Sequence, residues 1–219
     1  MTDRPVSERI DRYARLLVWA LPIWAVLLFL GTLDHQPPPQ TDFAGYAAFT
    51  TTTRFLVSHL AASILGAAIG NVGFAALFVL LVRRGSSGLA LWALVATVVG
   101  NTVATSVFGA AAFAQPAIGR IYLAGQTASA VALQDDVYGV PLFATALVGV
   151  LLLASGLVLF GSAIIRSGWL PRGSGIVLVI SAPLFAIIGV ILADVVQSLG
   201  ALGLVASTAW IAMSARLRD

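Results

Sequence analysis

The sequence predicts an all-α fold, a single-domain bundle of six membrane-spanning helices with both termini on the cytoplasmic side. Three observations carry this. Of 219 residues, 59% are hydrophobic and only 10% charged, far fewer charges than the roughly 25% of soluble domains. The apolar residues gather into uncharged runs long enough to cross a bilayer. The arginines sit at the ends of those runs.

The chain opens with a charged lead-in through Arg15, where Arg4, Arg9, Arg12 and Arg15 face Asp3, Glu8 and Asp11. The first span is expected over 16–33. It is read as a permanent anchor, since no small-x-small cleavage pattern precedes Asp34. Pro22, in its first two turns, is expected to kink it mildly. The loop 34–54 holds Pro37, Pro38 and Pro39, a stiff solvated unit that projects over the membrane face. Thr52 or Thr53 is placed to cap the next helix.

The second span, 55–82, runs without a single charged residue and ends at Arg83 and Arg84. A short glycine-bearing turn then brings the third span, 89–114, back antiparallel, with its end expected at Gln115 and Pro116. The loop 117–139 is expected to carry a short interfacial helix around Ile118, Ile121, Tyr122 and Leu123. Pro141 suits the first turn of the fourth span, 141–165. The fifth, 175–193, is expected to kink at Pro183, and the sixth covers 199–215.

An even number of crossings puts both termini on one face. Ten of the twelve arginines then share that face, leaving Arg54 and Arg120 opposite. The positive-inside rule makes the ten-arginine face cytoplasmic. The outer face holds those two arginines against Asp34, Asp42, Asp135, Asp136 and Asp194, a net charge of −3. Arginines spread over helix ends are a topology signal and offer no patch for nucleic acid.

Polar groups inside the spans need a reason, because lipid offers them no partner. Asn71 and Asn101 fall about 18 and 22 Å above the inner end at 1.5 Å per residue. They are expected at similar depth on neighbouring helices, either bonded together and fixing the pair or lining a ligand cavity with Thr105. Gly66, Gly70, Gly149 and Gly156 are read as close-packing positions. They leave a homo-oligomer open without requiring one.

His59 is expected at the outer interface, a little over a turn from Arg54. There Asp34, His35, Asp135, Asp136 or Asp194 could join it as a catalytic or relay cluster; the alternative is a structural histidine bonded to a carbonyl. No metal site is expected, since the two histidines lack ligand spacing and the chain has no cysteine. No HExxH, GxSxG, Walker or GxGxxG pattern occurs. The pair Asp135 and Asp136 lacks the third acid of an aspartate-rich diphosphate motif. With no acid or base deep in a span, proton- or sodium-coupled transport through a buried carboxylate is disfavoured.

Three stretches carry a resemblance: Thr-Arg-Phe-Leu-Val-Ser-His-Leu over Thr53–Leu60, Gly-Arg-Ile-Tyr-Leu over Gly119–Leu123, and Arg-Ser-Gly-Trp-Leu-Pro-Arg over Arg166–Arg172. With the six-span layout, the chain resembles an uncharacterised group of small bacterial, actinobacterial-type integral membrane proteins. The resemblance implies a multi-pass protein of the bacterial plasma membrane and carries over no site or cofactor. Three readings of function follow. One is a binding or accessory protein whose outward-facing polar cavity takes a small or lipophilic molecule, with Arg54, His59, Asn71, Asn101 and Thr105 as its candidate contacts. The second is a membrane-embedded enzyme using His59 with Asp135, Asp136 or Asp194. The third is a passive transporter or channel along the Asn71 and Asn101 seam.

Overall fold

A computed structural model describes residues 5–33, 38, 41–189 and 194–217; the side chain of Asp194 is outside the described set. Every element among the described residues is helical. Five helical stretches are long and apolar enough to cross a membrane: Val6–Thr32, Thr53–Val82, Ser87–Leu123, Val140–Ser167 and Val195–Leu217. A sixth rod, Arg172–Ile188, is apolar but shorter.

The first rod comprises α1 (Val6–Leu17) and α2 (Ala20–Thr32). The break at Val18 and Trp19 follows from Pro22, which has no N–H for the Val18 carbonyl four residues back. That carbonyl instead accepts from Leu21 N at 3.0 Å. The helix also starts well before residue 16, because Ala14 is buried and Asp11 pairs with Arg83 at the end of the second rod.

α3 (Phe43–Thr50) is capped by Asp42, whose side chain accepts from Gly45 N at 2.9 Å. Thr52, rather than Thr53, caps α4 (Thr53–Ser58) by accepting from Phe55 N at 3.2 Å. The second rod continues through a π-helical segment, His59–Leu65, into α5 (Gly66–Val82).

The third rod, α6 (Ser87–Leu123), corrects two expectations. It does not end at Pro116, and residues 117–123 belong to it rather than to an interfacial helix. At about 55 Å it exceeds the roughly 30 Å of a hydrocarbon core. The continuation is held by packing on α3, with Pro116, Ile118 and Gly119 all buried. The separate short helix is α7 (Thr127–Val137), which packs on α6.

α8 (Val140–Ser167) carries proline in its first turn and ends at Gly168, whose φ of 63° is the left-handed C-cap that glycine adopts without strain. α9 (Arg172–Pro183) runs into a second π-helical segment, Leu184–Ile188. α10 (Asp194–Leu217) is the last rod.

The rods form a closed ring in chain order. α2 packs on α5, α5 on α6, α6 on α8, α8 on α9, α9 on α10, and α10 back on α2. Closure lets each apolar rod bury one face. The ring is filled unevenly. Trp24 meets Phe74 edge-on at 5.0 Å, and Phe74 stacks on Phe160 at 5.9 Å. Around them Leu21, Leu77, Leu81 and Leu157 are almost fully buried. Phe74 is nine residues from Arg83 and Phe160 six from Arg166, so this aromatic plug occupies the half of the ring nearer the arginine-rich ends.

Candidate functional site

On the other side of Trp24 the ring axis is not filled. A cavity of about 80 Å³ lies there, and every rod contributes to its wall. Trp24 and Leu28 come from α2, Asn101 and Phe108 from α6, and Val150 and Leu153 from α8. The two π-helical segments supply Ser63 on one side and Phe185 with Ala186 on the other, and α10 adds Gln197. A π turn carries an extra residue, which shifts the side chains after it around the helix, and such turns are frequent at functional sites. Here both of them border the same void. An adjoining chamber of about 40 Å³ extends the cavity towards Gly31 and Thr32, where Ser198 Oγ donates to Thr32 Oγ1 at 3.0 Å.

The polar side chains of this wall are neutral. Asn101, only 4% exposed, commits both amide hydrogens: Nδ2 donates to Ala67 O at 3.0 Å and to Asn71 Oδ1 at 2.9 Å. The two asparagines placed at equal depth therefore do meet, and their bond ties α5 to α6. Thr105 Oγ1 donates to Asn101 O at 2.6 Å. What remains open is acceptor capacity on Asn101 Oδ1, the Ser63 hydroxyl and the Gln197 amide. None of these forms a hydrogen bond to another described residue. They are the groups a guest molecule or water would satisfy, because buried polar atoms are seldom left without partners.

Among the described residues the wall has no titratable side chain. Asn71 is half-buried behind Asn101 and does not line the cavity. Thr105 does.

His59 sits apart from the cavity wall. It is 3% exposed at the start of the first π segment, with Nδ1 3.0 Å from Phe55 O and its ring 4.2 Å from that of Phe55. A carbonyl only accepts, so Nδ1 carries the proton and Nε2 is the basic nitrogen. Asp135 and Asp136 are exposed on α7 and make no hydrogen bond or ion pair with His59. The expected gathering of these two acids on the histidine does not occur, because α7 lies against α6 with its acidic face towards solvent. Asp34, His35 and the side chain of Asp194 lie outside the described residues. Arg54 is exposed in the first turn of α4. Among the described residues no three metal-ligating side chains converge.

The residues that line the cavity were only partly visible in sequence. Ser63 and Gln197 are polar groups within otherwise apolar helices, the signal that singled out Asn101. Trp24, Phe108 and Phe185 carry no such mark, since a large apolar residue is ordinary in a membrane helix.

A second buried polar cluster forms where α3, the end of α6 and α7 meet. Tyr46, 2% exposed, donates from its hydroxyl to Gln134 Oε1 at 3.0 Å. Thr50 Oγ1 donates to Tyr46 O at 3.0 Å. Burial raises the pKa of Tyr46, and pushes that of Tyr138 from 10 up to about 12, partly offset by the Gln115 side chain. Both groups are thus held neutral in the fold. A raised folded value means the contribution to stability is complete below pH 10 and is lost as pH rises through about 12. In a tyrosinate absorbance titration, the difference between wild type and Tyr138→Phe is expected to titrate near 12. A difference centred at 10 would contradict the buried cluster.

No protein-family profile, curated protein or solved structure matches this chain. The site is defined by its own geometry.

Proposed function

We propose that this is an integral protein of the cell membrane, crossing six times with both termini cytoplasmic, which binds a small, neutral, largely apolar molecule in its outer half. This topology rests on the arginine asymmetry and on reading the apolar rod Arg172–Ile188 as a fifth crossing. Bilayer lipid is the constant partner of such a chain.

The observation that carries the binding reading is the cavity itself. Trp24, Leu28, Phe108 and Leu153 supply apolar wall, while Asn101, Ser63 and Gln197 supply a few unengaged polar groups. Such sites are mostly apolar with a small number of placed hydrogen-bonding groups. A charged guest would have to leave water for a wall that offers no counter-charge, at a cost of many kcal/mol. Neutrality of the guest follows. The volume is about half that of a 150 Å³ apolar cavity that accepts benzene, so a molecule of a few heavy atoms, or one end of a longer one, fits.

The aromatic plug of Trp24, Phe74 and Phe160 blocks the axis towards the inner end and favours binding over passage. The neutral wall favours binding over acid–base catalysis. A route from the bilayer lies close by: a lipid-facing groove lined by Phe143, Leu147 and Ile187 shares Val150 and Ala186 with the cavity wall.

The test is mass spectrometry of small molecules retained by protein extracted directly into lipid nanodiscs. Wild type is expected to carry a neutral species that Ala104→Phe, which fills the cavity, loses by about tenfold or more, the effect of roughly 1.4 kcal/mol. Equal retention by a folded Ala104→Phe protein would overturn the assignment.

A further inference from the structure

We propose that the C-terminal turns of α1 and of α10 together form a binding site for the phosphate headgroup of an anionic phospholipid. The site is distinct from the central cavity and rests only on the membrane placement of the chain. Arg12, Arg15 and Arg216 line one recess of about 470 Å³ together with Tyr13, Leu16 and Trp19. The two elements come from opposite ends of the sequence and pack together at this point. Among the described residues no acidic side chain lines the recess. The carboxylate of Asp11, a close neighbour of Arg12 in sequence, is turned to Arg83.

The arrangement has two chemically different halves. Arg12 on α1 and Arg216 on α10 are both exposed, so guanidinium groups from two helices can approach one phosphate. Guanidinium forks match phosphate oxygens in bidentate geometry and are weakly hydrated, which makes arginine the better side chain for this task than an ammonium. Towards the apolar part of the rod stand Leu16, 67% exposed, and the half-buried Trp19. Tryptophan and tyrosine collect at headgroup depth. A soluble anion would use the charged half alone. A phospholipid uses both, with its phosphate on Arg12 and Arg216 and its acyl chain along Leu16 and Trp19. Basic recesses between membrane helices on the cytoplasmic side are suited to acidic headgroups.

The experiment places wild type and the double variant Arg12→Gln, Arg216→Gln in nanodiscs of mixed phosphatidylglycerol and phosphatidylcholine, followed by native mass spectrometry of the lipids that stay bound. Wild type is expected to retain phosphatidylglycerol over phosphatidylcholine by about tenfold, and the double variant to fall to the ratio of the bulk mixture. Equal preference in the two proteins overturns the proposal. So does displacement of the bound lipid by millimolar inorganic phosphate, which would identify a free-anion site. Arg216→Gln alone keeps the test open if the double variant does not fold, with an intermediate preference expected and an unchanged one contrary. Failure of the wild-type chain to insert into nanodiscs would overturn the membrane reading itself, whereas insertion without lipid preference overturns this site alone.

Discussion

Gly156→Val is expected to separate α8 from α6 and to cost about 3 kcal/mol or more, the upper range for overfilling a packed interface. The cause is backbone on backbone. A Cβ at Gly156 would stand 2.5 Å from Thr97 N, and one at Gly149 would stand 2.7 Å from Ala104 N. A flexible side chain could swing aside; a helix backbone cannot. Small residues on facing helices allow this approach, and dispersion attraction along the shared length holds the pair where lipid supplies no hydrophobic drive between helices. The α6 and α8 interface is the most extensive among the described residues and forms one side of the cavity. Loss of folded protein in a thermal or SDS titration is therefore expected to coincide with loss of any bound molecule. Gly109→Ala is the control: it lies on α6 with no heavy atom within 4 Å of the added Cβ. It should be neutral or slightly stabilising, since alanine is the better helix former.

Asn101→Leu carries the second large effect. It removes two donated hydrogen bonds at once and leaves Asn71 Oδ1 and Ala67 O without them. A lost side-chain hydrogen bond between membrane helices costs about 0.6 kcal/mol on average and up to about 1.7. Asn71 Oδ1 is left without a donor while Ala67 O keeps its helical bond, so the expected cost is about 1–2 kcal/mol. A double-mutant cycle with Asn71→Ala is expected to show positive coupling, because the Asn71 carbonyl has no reason to remain where it is once its donor is gone. Additive single costs would mean that the pair does not interact. Asn101→Leu also removes a polar group from the cavity wall. It should weaken a hydrogen-bonding guest more than a hydrocarbon, which separates its effect on binding from its effect on the fold.

Sequence reasoning reached the parts of this protein that depend on linear distance. Counting residues from Arg83 and Ser86 placed Asn71 and Asn101 at one depth, and they are bonded. Gly149 and Gly156 repeat at an interval that returns them to one face, and that face meets α6. The arginines marked the helix ends. Pro116 misled, because its cost to the helix is local and the packing of Ile118 and Gly119 on α3 outweighs it.

The cavity could not be read in the same way. It depends on which face of each rod turns inward, and two π-helical segments reset that facing partway along the second and fifth rods without a residue pattern to announce it. Ser63 and Phe185, which line the void, lie within those turns. Asp135 and Asp136 stay away from His59 for a related reason: they lie on a helix whose inward face is set by Ala130 and Gln134. The bond from Tyr46 to Gln134 spans 88 positions in sequence. No local signal joins residues so far apart.

The central claim is that the void above Trp24 receives a small neutral molecule. Photolabelling of the nanodisc-embedded protein with azibutanol, a short alcohol bearing a diazirine, tests it most directly. Adducts are expected on Trp24, Phe108 or Phe185, reduced by excess butanol and absent in Ala104→Phe. Adducts confined to lipid-facing residues such as Phe143 and Leu147, and unchanged in Ala104→Phe, would contradict it.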